Sequence, residues 1–368
     1  MKHLRRLMIL FSLALVVLVM CAARSAMHRS VRVPALEGDA RTLLRIWITG
    51  SPGGAQAWLT GQLRQWEKRH PGTMTYLRAV SPEELTAQGS VLPDVVLFMP
   101  SDLDDPTRLF TPLSGTLDAR EELLRAGRWR GEQYGLPLCW GAWVLAIDGA
   151  LEPGSAATPA PTTLLGRPVA TAAPSTVPGY PLSAASETAC ALQSPGGTAL
   201  LSLLTLLPAA GHPPLPQDFA QLSPTEVYRA WQSRQCATAM LTTGQAVAFT
   251  ALAGSGHGFP FRLMTPPEVI TDQVWFAGVT PDAPPEAAAL LSFLTSREAQ
   301  EALAAQGLHT VRDDLTLYAS GFSAEVEAAA SLALSAVNAF LPARQVLDAA
   351  WQAFSGGSSL SQALLPLM

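Results

Sequence analysis

The sequence has little charge, and its motifs match no common catalytic class. Charged residues make up 14% of the 368 positions, against about a quarter in an average soluble domain. Together with 48% hydrophobic residues, this excludes a solvated, disordered chain. The net charge of −5 provides no basic surface for nucleic acid. Thirty Pro and 28 Gly argue against a helical bundle, so we expect a mixed, loop-rich protein, and the length predicts two domains.

Signatures of catalysis and of metal binding are missing as well. The sequence contains no HExxH, CxxC, GxSxG, SxxK or Walker loop. None of the six His pairs with a second ligand at zinc spacing. Asp102, Asp104 and Asp105 precede Pro106, a pattern typical of a turn. We therefore predict that the protein is not an enzyme and holds no cofactor or metal. An exported hydrolase, which would need two facing carboxylates, is the least supported alternative.

The first 23 residues have the pattern of an export signal. Lys2, Arg5 and Arg6 precede an apolar run over residues 7–23, which only Ser12 interrupts. At 17 residues, this run is at the lower limit for a membrane span. We predict that residues 1–23 are a signal peptide, a lipoprotein leader or a membrane anchor, and that residues 24–42 are a linker. The chain is then exported and tethered to the outer face of the cytoplasmic membrane.

The four cysteines bear on the tether and on disulfides. Leu18-Val19-Met20-Cys21 resembles the lipobox of bacterial lipoproteins, so Cys21 is the predicted lipidation site. An uncleaved N-terminal helix would tether the chain equally well. If Cys21 is lipidated, three cysteines remain and at least one thiol is free. The three are Cys139, Cys190 and Cys236, of which Cys190 and Cys236 either form a bridge or remain buried free thiols.

Periodicity predicts alternating strands and helices, which favours a parallel sheet with helices on its faces. The predicted strands are residues 43–48, 74–80, 93–98, 134–148, 168–172, 246–253 and 274–279. The predicted helices are residues 55–69, 198–207, 225–235, two within 285–306, and 324–338, followed by amphipathic segments at 343–354 and 360–365. Residues 152–163 are rich in Pro, Ala and Thr, which indicates a domain boundary.

Nine Trp against five Tyr is an unusual ratio. Four of the Trp residues lie on helical stripes and are assigned to the core: Trp58, Trp66, Trp231 and Trp351. Four others lie near strand ends, where open α/β sheets bind ligands: Trp47, Trp140, Trp143 and Trp275. An indole can stack on the apolar face of a sugar, whose hydroxyls need polar partners. The candidates for these partners are Thr49, Ser51, Ser101 and Glu187.

Several short motifs resemble the extracellular solute-binding proteins of ABC importers, a group that includes maltose-binding lipoproteins. They are Ile-Trp-Ile-x-Gly at 46–50, Pro-Asp-Val at 93–95, Tyr-Gly-Leu-Pro at 134–137, Gly-Gln-Ala-Val-Ala at 244–248, and the Gly-rich, Ala-Leu ending at 355–364. The best match is residues 287–312, with Ser-x-Glu-Ala-Gln followed by Gly-Leu-x-x-Val-Arg. The resemblance extends over most of residues 43–365.

The resemblance implies the two-lobed α/β fold of type II periplasmic binding proteins, with a mixed sheet flanked by helices in each lobe and a hinge between the lobes. It assigns residues 43–145 and about 255–312 to the first lobe, and residues 146–254 and 313–368 to the second. Phe98 joins the candidate ligand contacts because it aligns with a family contact position.

The implied function is capture of a small solute, most simply a carbohydrate, in the interlobe cleft and its delivery to an ABC permease. A monomer is expected. The alternative is a sensory or interaction module of the same fold that has no role in transport.

Overall fold

The computed structural model describes residues 42–86, 92–114, 118–149 and 238–342, together with 202, 228–229 and 231–233. All of them belong to one compact unit that begins at Thr42. Predictions for residues 1–41, 168–172, 198–207 (apart from Ser202), most of 225–235, 343–354 and 360–365 lie outside the described residues.

Twelve strands lie in the described part of the chain. They are β1 (Thr42–Ile48), β2 (Thr73–Ala79), β3 (Val95–Phe98), β4 (Arg128–Trp129), β5 (Glu132–Gln133), β6 (Leu136–Trp140), β7 (Trp143–Asp148), β8 (Thr238–Thr242), β9 (Phe261–Met264), β10 (Val269–Thr271), β11 (Val274–Val279) and β12 (Leu334–Ala336).

The described helices are α1 (Ala55–Arg69), α2 (Pro82–Thr86), α3 (Glu121–Ala126), α4 (Thr243–Gly254), α5 (Pro285–Leu294), α6 (Arg297–Glu301) and α7 (Phe322–Leu332). Two 3₁₀ turns accompany them, at Pro106–Arg108 and Ala302–Gln306.

The first sheet is mixed, with the strand order β2-β1-β3-β11-β6. Strands β2, β1 and β3 run parallel, as their alternation with helices predicts, whereas β11 is antiparallel to both of its neighbours. All four residues of β3 are buried, because both faces of the sheet centre are covered. One face packs in a cluster with α1 and α5, and the other contributes Phe98 and Phe276 to a second cluster.

Helix α1 has the bounds that its apolar stripe predicts. Trp58, Leu59, Leu63 and Trp66 are buried along one face, which is the spacing of an amphipathic helix. Its first residue follows Gly54, whose φ of 87° is a conformation that glycine adopts without steric strain. The indole nitrogen of Trp58 donates to Ala299 O at 2.8 Å, which fixes α1 against α6.

The second sheet is antiparallel, with the order β8-β7-β9. Residues 134–148 were expected to form one long strand, and that expectation is wrong. The segment breaks at Gly141-Ala142, so that β6 belongs to the first sheet and β7 to the second. At the break, the Gly141 backbone N–H donates to Gln273 O at 2.7 Å, in the segment just before β11.

Residues 246–253 form part of helix α4 rather than the expected strand. Thr242 Oγ1 accepts from the Gln245 backbone N–H, and the Gln245 side chain accepts from the Thr242 N–H. This reciprocal capping box is visible in the sequence as Thr-x-x-Gln. The alternating apolar residues that follow it favoured a strand, so the helix start was missed. The capping interaction satisfies backbone donors at the start of the helix.

The expected helix over residues 324–338 is shorter than predicted. Helix α7 begins after Gly321 and ends at Leu332. The next residues form β12, which pairs in parallel with β10. Ser323, which the sequence suggests as the cap of this helix, lies inside it instead. The apolar spacing that suggested further turns belongs to a strand.

Strand pairing also revises one lobe assignment. Residues 255–312 were placed in the first lobe, but β9 pairs with β7 of the second sheet in antiparallel register. The chain returns to the first sheet only at β11. We therefore place the return of the chain to the first lobe at Asp272-Gln273. The other lobe boundaries remain predictions.

Candidate functional site

Two adjacent chain crossings connect the first sheet with its neighbours, one with the second sheet and one with the two-stranded sheet β10-β12. They are Gly141-Ala142, between β6 and β7, and Asp272-Gln273, between β10 and β11. Thr271 Oγ1 donates to Gly141 O at 2.6 Å and accepts from the Gln273 backbone N–H at 2.8 Å. A Cβ added at Gly141 would lie 3.1 Å from Thr243 Oγ1, so the crossings and the start of α4 are closely packed.

Trp143 packs against these crossings. Its Nε1 donates to Asp272 Oδ1 at 3.0 Å, and the Gln273 amide donates to the same oxygen at 2.9 Å. The side chain of Trp143 is 1% exposed. A buried carboxylate that accepts two hydrogen bonds is a structural anchor, so Trp143 positions the crossing.

Trp140 has a similar environment on the other side of the break. Its Nε1 donates to Thr310 O at 2.8 Å, and its ring stacks on His309 at 4.4 Å. The backbone N–H of His309 donates to Trp140 O at 2.8 Å. His309 Nδ1 lies 3.5 Å from Glu327 Oε1, but burial dominates and lowers the pKa of the imidazole. The His309 ring is therefore neutral near pH 7.

Trp275 holds the loop that follows β1. Its Nε1 donates to Gly50 O at 2.8 Å, although the residue, near the start of β11, is fully buried. Phe98 is equally buried and lies 5.4 to 5.8 Å from the rings of Phe110, Phe276 and Phe340. Both side chains belong to the core of the first sheet.

These observations correct the predicted stacking surface. Phe98, Trp140, Trp143 and Trp275 are at most 1% exposed, so none presents an open ring face to a solute in this structure. The sequence places the three tryptophans near strand ends, but burial at a strand end depends on the loops that fold over it. Trp47 lies elsewhere, on the outer face of β1, with the Arg78 guanidinium 5.1 Å from its ring centroid.

The polar candidates lie together at the carboxyl ends of β1 and β3. Thr49 Oγ1 donates to Asp102 Oδ2 at 2.6 Å, and the same oxygen accepts from the Met99 backbone N–H at 2.8 Å. Burial raises the pKa of Asp102, and the two hydrogen bonds oppose that shift. Asp102, which the sequence indicated only as part of an acidic turn, therefore joins the two loops.

Ser101 and Ser51 differ in how far their hydroxyls are engaged. Ser101 has a φ of 72°, a left-handed conformation that is uncommon outside glycine. Its Oγ donates to Leu341 O at 2.8 Å and its N–H to Ala339 O at 2.9 Å. Ser51 is half-buried, and its hydroxyl has no hydrogen-bond partner among the described residues. Of the predicted polar contacts that the structure describes, it is the one with a free donor.

The loop after β1 contacts the start of α4, which follows the second sheet. A Cβ added at Gly244 would lie 2.6 Å from Gly53 O. Nearby, a Cβ added at Gly307 would lie 2.6 Å from Val247 Cγ2. Such distances require glycine on one side. The candidate site is therefore bounded by the carboxyl ends of β1 and β3 and by the amino end of α4.

Other predicted features can be placed only in part. Cys139 is a buried free thiol whose pKa is raised by burial. Glu187, Cys21, Cys190 and Cys236 lie outside the described residues. Within the described ranges, no group of three His, Cys, Asp or Glu side chains is arranged to bind a metal ion. None of the helices described there has the length and apolarity of a membrane span.

Comparison with known proteins agrees with the expected resemblance. Residues 145–309 match the family model described as bacterial extracellular solute-binding protein. A search of the curated proteins finds no match.

Solved structures similar to this chain include CpMnBP1 with mannobiose bound, at a TM-score of 0.55 and 16% identity over 88% of this chain and 98% of the other. The maltose/maltodextrin-binding domain MalE from Bdellovibrio bacteriovorus, bound to maltotriose, gives 0.54 and 16% over 88% and 98%. The GacH receptor of Streptomyces glaucescens gives 0.52 and 15% over 88% and 96%. The predicted fold class, that of the two-lobed periplasmic binding proteins, is confirmed.

Proposed function

We propose that this protein is the substrate-binding component of an ABC importer and captures a small carbohydrate between its lobes. The observation that carries the proposal is that separate sheets are joined to the first sheet by two adjacent crossings. Gly141-Ala142 leads to the second sheet, and Asp272-Gln273 leads back from the two-stranded sheet β10-β12. The solute-binding family match over residues 145–309 supports it. The similar solved structures, which hold mannobiose and maltotriose, favour an oligosaccharide as the solute.

Hydroxyl and carboxylate groups would supply the contacts to the sugar. Ser51 offers a hydroxyl without a hydrogen-bond partner among the described residues, and Thr49 and Asp102 hold its loop in place through their 2.6 Å hydrogen bond. Glu187 and Ser101 remain proposed contacts. An aromatic platform is not part of this proposal, because the candidate rings at the strand ends are packed in the core.

Closure of the lobes would follow from the affinity difference between the open and closed forms. A solute that contacts both lobes binds the closed form more tightly and shifts the population towards it. The two crossings are tied to each other by hydrogen bonds, so they would bend as one hinge. The loaded form would then dock on the membrane permease.

The remaining parts of the proposal concern compartment and chemistry. Export with a tether at Cys21, or through an uncleaved N-terminal helix, agrees with a family that is described as extracellular. We propose no catalytic role, since the family and the similar structures are described as binding proteins.

A thermal-shift series on the full chain in detergent micelles tests the proposal. The probes are mannobiose, maltotriose, single amino acids and tripeptides. A ligand at 100 times its Kd stabilises the folded state by about 2.7 kcal/mol, so a sugar ligand is expected to raise the melting temperature. Ser51→Ala should reduce that rise. Ser292→Ala, on the exposed side of α5, is the matched control and should leave it unchanged.

A rise with amino acids or peptides alone would reject the carbohydrate. No rise with any probe would favour the second candidate function, a sensory or interaction module. One observation favours that candidate: four of the five rings predicted as ligand contacts, all but Trp47, are buried in the core. A similar solved structure described as a two-component system protein mediating signal transduction has a TM-score of 0.53 and 15% identity over 83% of this chain and 99% of the other.

A further inference from the structure

An open groove crosses the outer face of the first sheet, on the side of β1 opposite α1. Its volume is about 410 Å³, and it is lined by Leu43, Arg45 and Trp47 of β1 and by Tyr76 and Arg78 of β2. Small-molecule sites generally occupy about 300 to 1,000 Å³. The groove is therefore large enough for a small ligand, and it is separate from the candidate site at the strand ends.

The described part of the crossover from β2 to β3 covers little of this face. In the described part of that crossover, the only helix is α2, which has five residues. At about 1.5 Å per residue such a helix extends for about 8 Å, whereas the seven residues of β1 span about 23 Å. Leu43 and Tyr76 consequently remain 46% and 54% exposed.

Cations and aromatic rings alternate across the groove. The parallel register places Arg45 beside Tyr76 and Trp47 beside Arg78. The same alternation runs along each strand, from Arg45 to Trp47 and from Tyr76 to Arg78. Side chains two apart on a strand share one face, so all four residues project from the same side of the sheet.

The two arginines differ in what they already contact. The Arg78 guanidinium lies over the Trp47 ring and is 3.4 Å from Glu84 Oε1. The Arg45 guanidinium has no hydrogen-bond or ion-pair partner among the described residues, although the residue is half-buried. Its five donors are preorganised for a planar anion. The groove thus presents a cation with no protein partner among the described residues, beside two aromatic surfaces.

We infer that this groove is a second binding site and that it takes a small aromatic carboxylate. The carboxylate would accept a two-pronged contact from Arg45, which is the strong geometry for this pair. The ring of the ligand would cover the apolar surfaces of Trp47, Tyr76 and Leu43. A neutral sugar would leave the Arg45 charge unmatched, and an inorganic anion would leave the aromatic surfaces open to water.

Titration calorimetry of the full chain in detergent micelles tests the inference, with naphthalene-2-carboxylate as the probe. Injections into empty micelles provide the blank. For a ligand of this size, a Kd of about 1 mM or tighter is expected. Naphthalene-2-carboxamide, which has the same shape without the charge, should bind at least tenfold more weakly.

Three variants locate the site. Arg45→Gln should weaken carboxylate binding at least tenfold, and Tyr76→Ser, at an exposed position that leaves folding intact, should weaken it severalfold. Arg64→Gln, which removes an exposed arginine of α1, should have no effect. Equal binding of the carboxylate and the carboxamide would overturn the inference. So would unchanged affinity in both groove variants, or no binding at 10 mM carboxylate.

Discussion

The contact between the loop after β1 and the start of α4 predicts a large effect for one methyl group. In Gly244→Ala, the added Cβ would lie 2.6 Å from Gly53 O, 3.2 Å from Gly53 C and 3.5 Å from Gly53 Cα. These neighbours are backbone atoms, so they cannot rotate away as a side chain would. Forcing an extra carbon into such a contact costs about 1 to 3 kcal/mol, so the free energy of unfolding should fall by that amount and the variant should unfold at a lower denaturant concentration.

The matched control is Gly61→Ala, because Gly61 lies inside α1 and an added Cβ meets no atom within 4 Å. Alanine in place of glycine inside a helix stabilises by about 0.5 to 1 kcal/mol. Urea unfolding of the full chain, followed by circular dichroism, should therefore move the two midpoints in opposite directions. A Gly244→Ala midpoint equal to or above that of the wild type would refute the close approach of these two segments.

Three further predictions concern the buried tryptophans, pH and the membrane tether. Trp275→Phe keeps most of the ring volume but removes the Nε1 donor of a 2.8 Å hydrogen bond. The free energy of unfolding in urea should therefore fall by about 1 kcal/mol, and an unchanged midpoint would contradict the anchoring role. Burial lowers the pKa of His309 from 6.5, so the unfolded state binds the proton more readily than the folded state. The contribution to stability is therefore complete above pH 6.5, and below that pH the free energy of unfolding should fall by up to about 1.4 kcal/mol per pH unit. The loss should be smaller in His309→Gln, and equal pH slopes in the variant and the wild type would contradict the prediction. Cys21→Ser should release the chain from the membrane fraction if the lipid is the tether, and retention would support the uncleaved helix.

Much of the first sheet could be predicted from the sequence, because its elements carry strong local signals. Helix α1 has an unbroken apolar stripe ended by Pro71-Gly72, and its bounds agree with the structure. The strand over residues 274–279 agrees as well. Where the local pattern and the tertiary packing favour the same element, periodicity alone is sufficient to predict that element.

The errors arose where tertiary contacts override local pattern. Residues 134–148 are mostly apolar, and nothing in their pattern indicates that the chain passes from one sheet to another at Gly141. Alternation of Ala and Val favoured a strand over residues 246–253, although the Thr242–Gln245 capping box outweighs it. A helix and a short strand share residues 322–336, since β12 has a parallel partner in β10.

The candidate site shows the same limit. Sequence placed Thr49, Ser51 and Ser101 near the strand ends, where the structure also has them. It could not predict that Trp140, Trp143 and Trp275 would each donate their indole N–H to an internal acceptor, because those acceptors come from segments at least 129 residues away. Arg45, which lies in a strand pattern, gave no signal of an open groove.

Small-angle X-ray scattering of the full chain, with and without the saccharide that stabilises it most, tests the central claim most directly. If two lobes close on a bound carbohydrate, the radius of gyration should decrease on saturation, and the decrease should reverse when the sugar is removed. A saturating ligand that leaves the scattering curve unchanged would contradict closure of the lobes around the solute.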